Sequence, residues 1–288
     1  MTTVASIPVD LMNGGQVFAC LGFLEAAQVL IGDMEGGFDW SRGNDVKFEL
    51  LTKGAENPFA VVLAALASSQ VREFQPPKED MGDTPFPSPK ADRTSLPVRL
   101  IHNDRTWFTM SHWTDGSSRE AFKLYAGNRT AGGIAHVMLH GESKTKKGGD
   151  AEPLIQHGVA SLWRDDPEAL TEDPFGTVVS MGGSFNFDPR GAWTGMDLGF
   201  SLNRQKHIKV TASPVVEILA AMGLEHARPI KNRMEVRYGA WGERLPPMLA
   251  RPALGCERAG AALRTFAFTL GLSGKNKVIT FAEEEAAS

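Results

Sequence analysis

The chain has 288 residues, 42% of them apolar and 22% charged, enough for a sizeable core in one large or two fused domains. Its 34 acids against 30 Lys and Arg give a formal charge of -4, which argues against a free-standing nucleic-acid binder but leaves room for local basic surfaces. Only Cys20 and Cys256 occur, far apart, so the pattern predicts reduced thiols and excludes a disulfide framework. No apolar run approaches the ~20 residues of a membrane span. No basic segment leads into a long apolar one at the start, so a cytoplasmic protein without membrane partners is expected.

Residues 6–10 read as a short extended segment, and Asn13 then caps a helix over 15–31. Val17, Phe18, Leu21, Leu24 and Leu30 recur at near-helical spacing, which predicts an amphipathic helix. Gly36 and Gly37 break it, and 38–40 and 46–51 form a strand pair around the turn Arg42-Gly43-Asn44-Asp45. Asn57 and Pro58 open a second helix read through to Glu73. Six prolines make 75–97 an exposed loop. Strands are expected at 98–102, 105–110 and 178–187, with a helix beginning at Phe122 or at Ile134 through Leu139 and a variable region over 141–175.

Ser213 and Pro214 open another capped helix. Its Leu219-Ala220-Ala221-Met222-Gly223-Leu224 aligns with Phe18-Ala19-Cys20-Leu21-Gly22-Phe23, which points to two related halves, 1–140 and 176–280, or to two helices packing closely through glycine. Residues 233–241 and 263–270 alternate like strands, 246–254 is a turn and short helix, and the acidic tail 282–288 is expected to be disordered. The fold class is α+β, a single large unit of mixed helices and antiparallel strands.

The glycine-rich stretch from Lys123 to Gly133 surrounds Asn128 and Arg129 with small residues, describing a backbone that a ligand can approach closely. A basic loop with Lys144, Lys146 and Lys147 follows. Between Arg204 and Arg237, seven basic residues (Arg204, Lys206, Lys209, Arg228, Lys231, Arg233 and Arg237) outnumber three acids, and each phosphate contact they make would add salt-dependent affinity. Trp107, Trp113, Trp193 and Trp241 are candidate stacking platforms, with burial in the core as the plainer reading.

Candidate catalysis is thin. No phosphate-binding loop, dinucleotide fingerprint, cysteine pair or nucleophile elbow occurs. His136 and His140 have metal-ligand spacing without an evident third ligand, and no cofactor or metal is expected. His102 and His112 could serve acid–base RNA cleavage, though nothing in the sequence brings them together. Asp188-Pro189-Arg190-Gly191, followed by Asp197, reads as a turn between strands more simply than as a carboxylate pair.

Four stretches carry a resemblance: Asn13 to Glu25; Trp113 with Lys123 to Asn128; Phe185 to Arg190 with Asp197 to Ser201; and Pro214 to Leu224 with Arg228-Pro229. In this order the chain resembles the small third subunit specific to type I-U (I-G) CRISPR systems, a Cascade large-subunit-like family, although that family commonly has proline where Gly14 stands. The resemblance implies a non-enzymatic subunit of a crRNA-guided surveillance complex that binds target double-stranded DNA near the protospacer-adjacent motif. Its partners would be the other Cascade subunits, crRNA, and a recruited helicase–nuclease. Base pairing supplies most sequence discrimination in such complexes. The candidate contacts are Lys123, Asn128, Arg129, Lys144, Lys146, Lys147, Arg204, Lys206, Lys209, Lys231 and Arg233. Two other readings stand beside this one. One is a repeat-associated crRNA-processing endoribonuclease using His102 or His112. The other is a structural bridge between the backbone subunit and the crRNA end, with the glycine-bearing helices as its interfaces.

Overall fold

A computed structural model describes residues 2–73, 96–114, 122–125, 129–144, 154–181, 183–192, 210–258, 260–273 and 276–286. Their architecture is α+β, with small antiparallel sheets set around a helical centre. In the first sheet, β3 (Lys47–Thr52) lies between β1 (Thr3–Pro8) and β2 (Glu35–Asp39). In the second, β5 (Val98–Asn103) lies between β4 (Gln70–Glu73) and β6 (Thr106–Met110). Two short ladders pair β7 (Glu142–Lys144) with β8 (Leu154–Gln156), and β9 (Val179–Ser180) with β10 (Thr211–Ala212). The largest sheet runs β11 (Ile230–Asn232), β12 (Glu235–Trp241), β13 (Leu263–Thr269), β16 (Glu283–Glu284), and a hairpin of β14 (Gly271–Ser273) and β15 (Asn276–Val278) follows β13.

The first and largest sheets meet at Gly36, whose backbone exchanges hydrogen bonds with Leu245 at 2.9 Å and whose carbonyl accepts from Trp241 Nε1 at 2.7 Å. Trp241 meets Phe38 and Phe48 edge-on, sealing that junction with rings. Such T-shaped contacts add to the area that the rings bury.

Two helices form the centre. Asn13 caps α1 (Gly14–Leu30) by accepting from Gln16 N, and Ser213 caps α6 (Pro214–His226) by accepting from Val216 N. Around them lie α2 (Pro58–Ser68), α3 (Ala131–His140), α4 (Val159–Asp165), α5 (Pro167–Glu172) and α7 (Pro247–Leu254). A Cβ on Gly22 would collide with the Leu219 carbonyl, and one on Gly223 with the Phe18 carbonyl, so α1 and α6 touch backbone to backbone. Each glycine meets the carbonyl four residues before its counterpart, a reciprocal contact that the six-residue match singled out. Because α1 packs against α2, α6, α7 and β6, it is buried on every face from Gly14 to Ala27. The amphipathic stripe expected for it is therefore replaced by all-round burial.

Other expectations also need correction. The helix expected to run to Glu73 stops at Ser68, and β4 follows it. Ser68 Oγ and Ser69 Oγ accept the role of donors to the Ala64 and Ala65 carbonyls, competing with the helical ladder, and Ser69 turns to extended backbone. The strand expected over 178–187 shrinks to β9, because Asn186 takes a left-handed φ of 69° and the Phe187 and Asp188 amides bond a buried side chain instead of a neighbouring strand. The helix near Phe122 does not form; α3 begins at Ala131. The region 141–175 holds β7, β8, α4 and α5. Instead of a disordered tail, Glu283 and Glu284 pair with β13 while Glu284 and Glu285 bind Arg264 and Arg237. The proline-rich 75–97 loop lies outside the described residues, apart from 96 and 97.

Candidate nucleic-acid interface

A buried polar node ties together the starts of the two central helices. Asp188 caps the short 3-10 turn Pro189–Gly191, and its carboxylate collects donors from three directions. Asn13 Nδ2 donates to it at 3.3 Å, Ser213 N at 2.8 Å, and the Arg190 guanidinium through Nε and Nη2 at 2.6–3.1 Å. Beside it, Glu217 in the first turn of α6 is fully buried, and its Oε1 accepts from Phe187 N at 3.0 Å and Asp188 N at 2.8 Å. Its Oε2 has no hydrogen-bond partner among the described residues. Burial pushes the Glu217 carboxyl up to about 8, reinforced by the neighbouring Asp188 charge and opposed by the backbone donors. At neutral pH the Glu217 carboxyl is therefore mostly protonated, beside the Asp188–Arg190 ion pair.

Apolar rings close around this node. Trp113 stacks on Phe185 at 5.4 Å and meets Tyr125 edge-on at 5.9 Å, while Phe122 lies against Phe18 at 6.0 Å and stacks on Phe187 at 6.3 Å. A Cβ on Gly15 would strike the Phe187 carbonyl. A second buried acid, Glu25 on α1, is held bidentately by Arg251 of α7 at 2.6 and 2.8 Å, with His226 Nδ1 at 3.6 Å. Burial pushes the His226 imidazole down, partly offset by Glu25.

The predicted contact residues are dispersed. Lys123 folds back on its own segment: Nζ donates to the Tyr125 carbonyl at 3.2 Å and lies 4.3 Å from the centre of the Tyr125 ring, and burial pushes its ammonium down. Arg129 pairs with Glu142 at 3.7 Å and its guanidinium packs over Gly183. Lys144 belongs to β7, where its backbone is paired with Leu154. Lys231 and Arg233 stand together on the hairpin of β11 and β12, with Arg233 at a left-handed φ of 56°. Asn128, Lys146, Lys147, Arg204, Lys206 and Lys209 lie outside the described residues, as do Trp193 and Asp197. Arg237, counted in the same basic run, is taken up by Glu285 at 2.7 Å.

The histidines separate. His112 is buried against Trp113, ring centres 4.6 Å apart. His102 Nδ1 lies 3.0 Å from Ser68 Oγ at a groove. The His136 and His140 rings lie 4.9 Å apart, tilted by 53°, burial pushes His140 down with His136 adding to the effect, and no cluster of three metal-binding side chains is present among the described residues. The glycine-bearing helices named in the bridge reading bury Gly22 and Gly223 against each other.

Arg72 and Arg99 were missed as candidates. They stand opposite each other on β4 and β5, and Trp107 on β6 faces the same side as they do. Reading residues 58–73 as one helix hid Arg72, although Gln70-Val71-Arg72-Glu73 already has the alternation of a strand. No described helix is long and apolar enough to cross a membrane. Comparison with known proteins gives no match, whether to family models, to curated proteins or to solved structures.

Proposed function

We propose that this chain is a non-enzymatic subunit of a crRNA-guided type I-U (I-G) surveillance complex, contributing to target double-stranded DNA binding near the adjacent motif and to assembly with the other Cascade subunits. The observation that supports it is the convergence of the four resembling stretches. Asn13 bonds Asp188, Trp113 stacks on Phe185, Gly15 meets Phe187, and Gly22 crosses Gly223, so all four meet in one packing unit. The side chains at the node hold the two helices together, and DNA contacts belong to surface cations such as Lys231 and Arg233.

The test is reconstitution with the remaining subunits of a type I-U system and a crRNA, with a target duplex followed by gel shift at two salt concentrations. Omitting the chain should abolish tight duplex capture. Lys231→Glu with Arg233→Glu should weaken it and flatten the salt dependence by about two log–log units, one for each lost phosphate contact. A complex that assembles and captures duplex equally well without the chain overturns the proposal.

A further inference from the structure

The sheet of β4, β5 and β6 has one face in the core and one outward. Val98, Leu100, Phe108 and Met110 are buried, so the alternate residues share the other side. Pairing places Gln70, Ile101 and Trp107 in one cross-strand row, and Arg72, Arg99 and Thr109 in the next. The rows are two residues apart along each strand, roughly 7 Å. Trp107 remains 46% exposed, with the Arg99 guanidinium 5.5 Å from its ring centre. The face opens into a groove of about 420 Å³ whose rim includes His102 and Ser68.

We infer that this face binds single-stranded nucleic acid. An exposed indole offers a stacking surface to any base, because every base has a π-face, and arginines track the sugar–phosphate chain. The two rows separate these tasks. Trp107 and Ile101 form an apolar row for a base, while Arg72 and Arg99 form a cationic row one pleat away for a phosphate. A duplex keeps its bases stacked on one another and cannot present a base face to Trp107, so the arrangement selects unpaired strands. The site lies apart from the proposed duplex contacts at Lys231 and Arg233 and does not depend on membership of any complex.

The test uses the purified full chain and a fluorescein-labelled uridine or thymidine dodecamer, read by anisotropy at two salt concentrations, with a labelled duplex of equal length in parallel. The single strand should bind and the duplex should bind more weakly. Trp107→Ala should weaken single-strand affinity about tenfold at both salt concentrations, with Trp107→Phe restoring most of it, as expected for loss of one stacked base. Arg72→Ala should weaken it and reduce the salt slope by about 0.7, the share of one phosphate on a single strand. Both residues are exposed, and thermal melts would check that the variants remain folded. No binding by the wild-type chain, equal preference for duplex, or wild-type affinity in both folded alanine variants would each overturn the inference.

Discussion

Glu217→Gln offers a direct measure of the node's electrostatics. Glu217 is fully buried, and its carboxyl is raised from 4.5 to about 8. Below about pH 4.5 the folded and unfolded chains both hold this proton, and the group contributes no pH dependence. As pH rises, the unfolded chain releases the proton and the folded chain keeps it, so stability falls until about pH 8 and then levels off. Each unit of the gap corresponds to about 1.4 kcal/mol, which makes the wild-type loss at pH 7 about 3 kcal/mol. Glutamine keeps the shape and the carbonyl oxygen that accepts from Phe187 N and Asp188 N, but it cannot ionise. Urea unfolding of both proteins between about pH 5 and pH 8 provides the assay, since titrating groups not coupled to Glu217 cancel in the difference. The variant should exceed wild type by about 1 kcal/mol near pH 5 and by about 3 kcal/mol near pH 7. A difference that stays constant with pH, or a variant less stable near pH 8, would refute the reasoning.

Two further substitutions probe the central helices. Gly223→Ala places a methyl group against the Phe18 carbonyl and should lower unfolding free energy by about 3 kcal/mol, at the upper end for overpacking because backbone cannot swing aside, as read by urea titration. Arg251→Met strands the buried Glu25 carboxylate and should cost about 2 kcal/mol, trimmed from the usual figure because Arg251 is partly exposed. The double variant Glu25→Met with Arg251→Met should recover most of that loss in the same titration.

How much of this was legible depends on the kind of signal. The starts of α1 and α6 were readable because Asn13, Ser213 and Pro214 act locally, through a side-chain cap or a fixed φ. The glycine match was readable as a pattern, and the structure shows that its two glycines meet in a close crossing. The end of α2 was obscured because Ser69 to Glu73 contains no glycine or proline, and the break comes from serine hydroxyls competing with the ladder. Glu25 and Glu217 look like ordinary surface acids in composition. Their clue was position: each stands in a helix with apolar residues on every face, where a charge has no outward side to occupy. Trp107, Trp113 and Trp241 could not be sorted by type, although the alternation of Trp107 with Phe108 and Met110 already set the indole opposite the core-facing pair.

The crossing of Gly22 and Gly223 joins segments about two hundred residues apart in a single backbone contact. The entropy of closing so large a circuit grows only with the logarithm of its length, so doubling the intervening chain adds about 0.6 kcal/mol. The length of the joining chain is consequently a small term, although α2, α3 and β6 within it are themselves packed against the two helices. Lengthening a connection costs little, while one added methyl at the crossing is felt at once. Evolution or an engineer seeking new binding surfaces on this chain therefore has wide freedom in the intervening loops and very little at two glycines.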